Sequence, residues 1–114
     1  HASTGARGVR GEAESGFASV QQYALPYLRA GCSERDQLLA QLALMRRVED
    51  TNVLHRAGPE GLRWLQQRAG ETLERFSLAA LEQLDEECIR RNISPGGCAD
   101  LLAIGLFLVQ LDRA

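Results

Sequence analysis

The stretch Asn92-Ile93-Ser94-Pro95-Gly96-Gly97-Cys98-Ala99-Asp100-Leu101-Leu102-Ala103 combines a backbone suited to binding an anion with a single acid. Ser94 suits an N-cap and Pro95 the first helical position, so a helix is expected to start here with its unpaired amides pointing outward. Gly96 and Gly97 leave the first turn without side chains. A phosphate or ribose can then approach the backbone at the positive end of the helix dipole. Asp100 lies one turn below Gly96 on the same face and is the only charged residue between Arg91 and Asp112. A lone carboxylate on so apolar a helix marks a functional position, or else only the preference of the dipole for an acid near a helix start, with the glycine pair marking close packing.

A second polar group spans Glu49 to Gly58, where the apolar period breaks. Asp50 and Asn52 can supply oxygen ligands to Mg²⁺, and His55 and Arg56 can hold phosphate or move a proton. The same residues also suit an ordinary capped connection between helices. A third lies in residues 1–15, where Gly5, Gly8 and Gly11 alternate with Arg7, Arg10, Glu12 and Glu14. This reads as a loop able to wrap a phosphate, or as a solvated chain end. All 13 basic residues are Arg, so phosphate contacts must come from guanidinium groups or backbone amides.

These groups must be positioned by helices, since no segment alternates with period two. Phe17, Val20, Ala24 and Leu28 carry helical spacing, with Pro26 expected to bend or divide that helix, Tyr23 and Tyr27 sharing a face as packing residues, and Gly31 ending it. Ser33 and Asp36 form a capping box for a helix with the stripe Leu38, Leu39, Leu42 and Met45. Gly58 and Pro59 open a further helix with Leu62, Leu65, Ala69, Leu73 and Phe76 inward, Trp64 off that stripe, and Gly70 marking a kink or a close helix contact. Ser77 caps the next, with Leu78, Leu81, Leu84 and Cys88 inward and Asp85, Glu86 and Glu87 facing water. The last helix is apolar nearly all round from Leu101 to Leu111, which places it centrally. The expected fold is all-α, a compact bundle of about five helices in one domain over residues 1–114, with a Gly/Arg loop over 1–15 and helices over 16–114. The three polar segments should converge at one end.

A chain of 114 residues with 45% hydrophobic content supports one ordinary core. A net charge of -2 gives no general attraction to polyanions and argues against nucleic-acid binding. Cys32, Cys88 and Cys98 are odd in number and lack metal-ligand spacing, which points to a reduced, cytoplasmic protein. The Leu101 to Leu111 run is too short to cross a bilayer, so no membrane partner is expected. The start at His1, in a Gly-rich stretch, suggests a piece of a longer chain.

The motif S-P-G-G-C-A-D-L-L-A resembles the S-P-G-G-S-A-D-L-L-A signature of the triphosphoribosyl-dephospho-coenzyme A synthase family. Asp50-Thr51-Asn52-Val53-Leu54-His55-Arg56-Ala57-Gly58 is similar to its D-T-N-L-L-H-R-G-G motif, with Val53 for Leu and Ala57 for the first Gly. G-V-R-G-E-A followed by Gly16-Phe17 is similar to a further segment. The resemblance implies a transferase that joins ATP and 3′-dephospho-CoA with release of adenine, for the acyl carrier subunit of malonate decarboxylase or citrate lyase; Asp50 to Arg56 looks closer to the malonate branch. It implies Glu12 or Asp100 stabilising charge on the sugar, a carboxylate or His55 taking the proton, and Mg²⁺ held by Asp50 or Asp100 through ATP oxygens. Arg7, Arg10 and Arg56 would clamp the triphosphate, with Asn52, Ser94, Gly96 and Gly97 also binding substrate. Cys98 stands where the signature has Ser, exchanging a strong donor for a weak one. The resemblance covers the family's C-terminal portion; its upstream P-K-P-G and N-T-H-K-G segments are missing. This chain alone is therefore expected to be inactive, or to need the missing portion in trans or a homo-oligomer. The alternatives are a non-catalytic helical interaction module and a hydrolase that releases adenine to water.

Overall fold

In the computed structural model, residues 18–113 are described. A π-helical turn, Val20–Ala24, runs directly into α1, Leu25–Ala30. The Leu25 N–H donates to the Val20 carbonyl across that wide turn. Pro26 follows in the first turn of α1 and has no N–H to give to the preceding turn. The irregularity of this helix is thus a π turn that ends at Ala24, just ahead of Pro26, rather than a division at the proline. Gly31 ends α1 with extended backbone, and the left-handed residue of the turn is Cys32, at φ 58°.

Helix α2, Glu34–Arg47, starts in the expected capping box: Asp36 N–H donates to Ser33 Oγ at 3.1 Å, and Ser33 N–H donates to Asp36 Oδ2 at 3.2 Å. Leu42, Ala43, Leu44 and Met45 are all buried, which a helix achieves only when neighbours cover it on several sides. It packs against α1, the π turn, α3 and α5. The central helix is therefore α2 rather than the last one. Helix α3, Thr51–Glu74, is broken at Gly58, whose φ of 73° and ψ of -179° suit only glycine, and Pro59 restarts it. Gly70 is a close helix contact rather than a kink, facing the Arg46 side chain.

Ser77 caps α4, Leu78–Arg90, by accepting the Ala80 N–H at 3.0 Å. Leu84 and Cys88 are buried as expected, but Leu78, in the first turn, is 65% exposed. Glu87 does not simply face water: Arg68 of α3 donates to its Oε1 at 2.8 and 3.0 Å and ties the two helices together. Arg91 stacks on Trp64, 4.1 Å from the ring centroid. Helix α4 ends in a Schellman motif, with Ile93 N–H donating to Cys88 O, Asn92 N–H to Ile89 O, and Asn92 left-handed at φ 56°. That turn delivers the chain to α5, Gly96–Arg113.

Helix α5 lies on α1, α2 and the π turn, and its start meets α3. A Cβ at Gly105 would stand 2.9 Å from Leu28 Cδ1, so this close approach requires glycine. Cys98, Leu101 and Val109 are buried along the same side, whereas Phe107 and Leu111 on the other side are more than half exposed. Uniform hydrophobicity has therefore not made the helix central. Among the described residues the fold is all-α, and no helix is long and apolar enough to cross a membrane.

Candidate functional site

Val48 leaves α2 in extended backbone and is held there by Gln66, whose Nε2 donates to its carbonyl at 3.1 Å. This turn points Asp50 inward. Asp50 is the N-cap of α3; its Oδ1 accepts the N–H groups of Asn52 at 3.0 Å and Val53 at 3.4 Å. Its Oδ2 accepts the N–H of Cys98 at 3.0 Å, and the residue is 1% exposed. One carboxylate thus caps two helices whose starts lie far apart in sequence.

The start of α5 explains why that is needed. Ala99 N–H donates to Pro95 O at 3.1 Å, which makes Pro95 the capping residue and Gly96 the first helical one. The start is displaced by one residue from the expected Ser94 cap. Pro95 has no side-chain acceptor for the third amide of the helix, that of Cys98, and Asp50 supplies one from another part of the chain. The glycines serve this contact. A Cβ at Gly97 would stand 3.0 Å from both Cγ and Oδ1 of Asp50, and one at Gly96 would stand 2.8 Å from Asn52 Nδ2. The space expected to admit a phosphate or ribose is occupied at Gly97 by the protein's own carboxylate and at Gly96 by the Asn52 amide.

Cys98 is fully buried against the same carboxylate. Burial foremost, then the Asp50 charge and the hydrogen bond to it, push its thiol far above the ordinary range. The thiol is therefore an uncharged internal partner of Asp50 rather than a donor facing a ligand. Both oxygens of Asp50, expected as a metal ligand, accept amide hydrogens. Among the described residues, no cluster of three or more His, Cys, Asp or Glu side chains forms a metal cage.

Two of the three polar segments meet, because Asn52 touches Gly96 and Asp50 touches Gly97. Asn52, His55, Arg56, Ser94 and Asp100 are exposed, and Gly96 is half-buried. His55 and Arg56 ride on the part of α3 before its break at Gly58, so the segment 51–57 is helical rather than an irregular connection. Ala57 needs no positive φ, since the left-handed residue is Gly58. Arg7, Arg10 and Glu12, with the rest of the 1–15 loop, lie outside the described residues.

A cleft of about 630 Å³ between α2 and α4 reaches Ser94 and Pro95 and was not anticipated from sequence. Leu38, Leu42, Leu81, Leu84 and Ile89 line it. The stripes on α2 and α4 signalled apolar faces, but not that the two helices would stand apart.

The whole chain, residues 1–114, matches the family model described as ATP:dephospho-CoA triphosphoribosyl transferase. It is 42% identical to a probable 2-(5''-triphosphoribosyl)-3'-dephosphocoenzyme-A synthase of Citrobacter koseri, over 96% of this chain and 40% of that protein. It is also 42% identical to a 2-(5''-triphosphoribosyl)-3'-dephosphocoenzyme-A synthase of Haemophilus ducreyi, over 94% of this chain and 36% of that protein. The chain thus spans about two fifths of the length of these curated relatives. No solved structure matches it.

Proposed function

We propose, from the premise that this chain belongs to the ATP:dephospho-CoA triphosphoribosyl transferase family, that it supplies one wall of a site moving the triphosphoribosyl group of ATP onto 3′-dephospho-CoA. The observation that carries this reading is the junction of Asp50 with Cys98, which fixes the exposed groups of α3 and α5 at one corner. In the transfer, the 2′-hydroxyl oxygen of the dephospho-CoA ribose bonds to the anomeric carbon of the ATP ribose as the bond to adenine breaks. The hydroxyl proton passes to a base, and adenine departs with its bonding electron pair and takes up a proton.

Positive charge grows on the ribose as adenine leaves, and a nearby carboxylate stabilises it. Asp100, exposed one turn below Gly96, takes that role together with Glu12. His55 is the proton acceptor. Arg56, with Arg7 and Arg10, binds the triphosphate, where planar guanidinium groups give paired hydrogen bonds. Asn52 and Ser94, the exposed polar side chains beside the Gly96-Gly97 turn, contact the sugar side. Mg²⁺ enters with ATP as its substrate ion; one carboxylate plus phosphate oxygens suffices to hold it, and Asp100 fits because Asp50 is engaged by amides. The product serves the acyl carrier subunit of malonate decarboxylase or citrate lyase, in the cytoplasm.

The test is an NMR titration of the chain with ATP and Mg²⁺. Amide shifts concentrated in residues 50–56 and 94–100 are expected. Their absence from both segments would overturn the reading and leave a non-catalytic interaction module.

A further inference from the structure

The α5 surface turned away from the core is mostly apolar, with Gln110 the one exposed polar side chain between Leu101 and Leu111. Phe107 is 58% exposed and Leu111 55%, and Ala99 and Ala103 are exposed at the same spacing of four. Leu102, Ile104, Leu106 and Leu108 flank this stripe half-buried, and no charged residue occurs from Leu101 to Leu111. Single exposed apolar side chains are ordinary, but a continuous uncharged stripe over several helical turns marks a surface that is covered in use. A helix apolar all round belongs inside a fold.

We propose that this stripe seats the portion of the family's length that lies outside this chain, through an apolar helical face packed along α5. The matched relatives carry about three fifths of their length beyond the stretch aligned here, enough chain to supply such a face. The absence of charge on the stripe calls for an equally uncharged counterpart. The stripe begins at Ala99, beside Asp100, so the docked portion ends at the polar corner and can add groups to it. The inference rests on family membership and not on the reaction assigned to the corner.

Phe107→Cys in this chain, and a cysteine at the aligned position of the full-length Citrobacter koseri relative, provide the test. Maleimide labelling is followed at that site by peptide mass spectrometry. The expected result is rapid labelling in the isolated chain and labelling at least ten times slower in the full-length relative. Equal rates would overturn the proposal, as would slow labelling in the isolated chain that depends on its concentration, which would make the occupant a second copy. Helix content by circular dichroism shows whether the variant folds, and Leu111→Cys, one turn further on, gives the same reading if it does not. Because no turnover is measured, failure here is distinct from failure of the nucleotide site.

Discussion

The Cys98 backbone N–H donates to Asp50 Oδ2 at 3.0 Å, across 48 positions of sequence. With Asn52 and Val53 bound to the other oxygen, this buried carboxylate gathers three amides from two helix starts. It stands where an outside anion had been expected, and it uses the same physics: unpaired amides and the positive ends of two dipoles.

Asp50→Ala leaves those three amides without their acceptor. Urea unfolding should show a loss of about 3 kcal/mol, from a lost cap together with buried unpaired donors. Asp50→Asn should lose about 2 kcal/mol, since its NH₂ cannot accept from Cys98. Asn52→Ala, at an exposed side chain, should fall within about 0.5 kcal/mol of the parent. A loss below that same margin for Asp50→Ala would contradict the double-cap assignment.

The two glycines should differ. Gly97→Ala puts a methyl 3.0 Å from the buried Asp50 carboxylate, which is fixed by its hydrogen bonds. It should cost about 1–3 kcal/mol. Gly96→Ala meets only the end of the exposed Asn52 side chain, which can swing away. Thermal melts of both variants check this, and a larger loss for Gly96→Ala would contradict it.

Gly58→Ala isolates a backbone effect, because nothing lies within 4 Å of the added carbon while φ stays at 73°. The expected cost is about 1–3 kcal/mol. Chemical denaturation measures it, and an unchanged midpoint would show that the break in α3 is not imposed by this residue.

Alkaline pH should weaken the fold through Cys98. Burial raises its thiol in the folded state, so above the ordinary thiol value, about 8.5, only the unfolded chain releases that proton. Stability is intact below that pH and declines as pH rises towards the folded value, by up to about 1.4 kcal/mol per pH unit for this group. Cys88, also raised chiefly by burial, adds in the same direction. Denaturation of Cys98→Ser between pH 8 and 10 should show a shallower decline than the parent; parallel curves would exclude Cys98 as the source.

The isolated chain should release no adenine from ATP in the presence of 3′-dephospho-CoA, because it spans about two fifths of its relatives. Chromatographic detection of adenine checks this, and full turnover by this chain alone would contradict it.

Most of the helical order was legible. The Ser33 and Asp36 box, the Ser77 cap and the Gly58-Pro59 break are local devices, decided by side chains reaching their own backbone within a few residues. The centrality of α5 was misjudged because hydropathy reports that a helix is buried somewhere, not which portion of a protein buries it. Leu78 was misjudged for the same reason, and the cleft beside α4 left no sign in the sequence.

The same division runs through the candidate site. Residue order alone determined that the glycine pair would stand at the start of a helix, since steric freedom is a property of short segments, but it placed the start of α3 at Gly58 and Pro59 rather than after Asp50. Only tertiary structure decided that Asp50 would cap both. A hydrogen bond between residues 50 and 98 leaves no periodic or local mark in the chain, and it forms because α2, α3 and α5 pack so that the two helix starts meet.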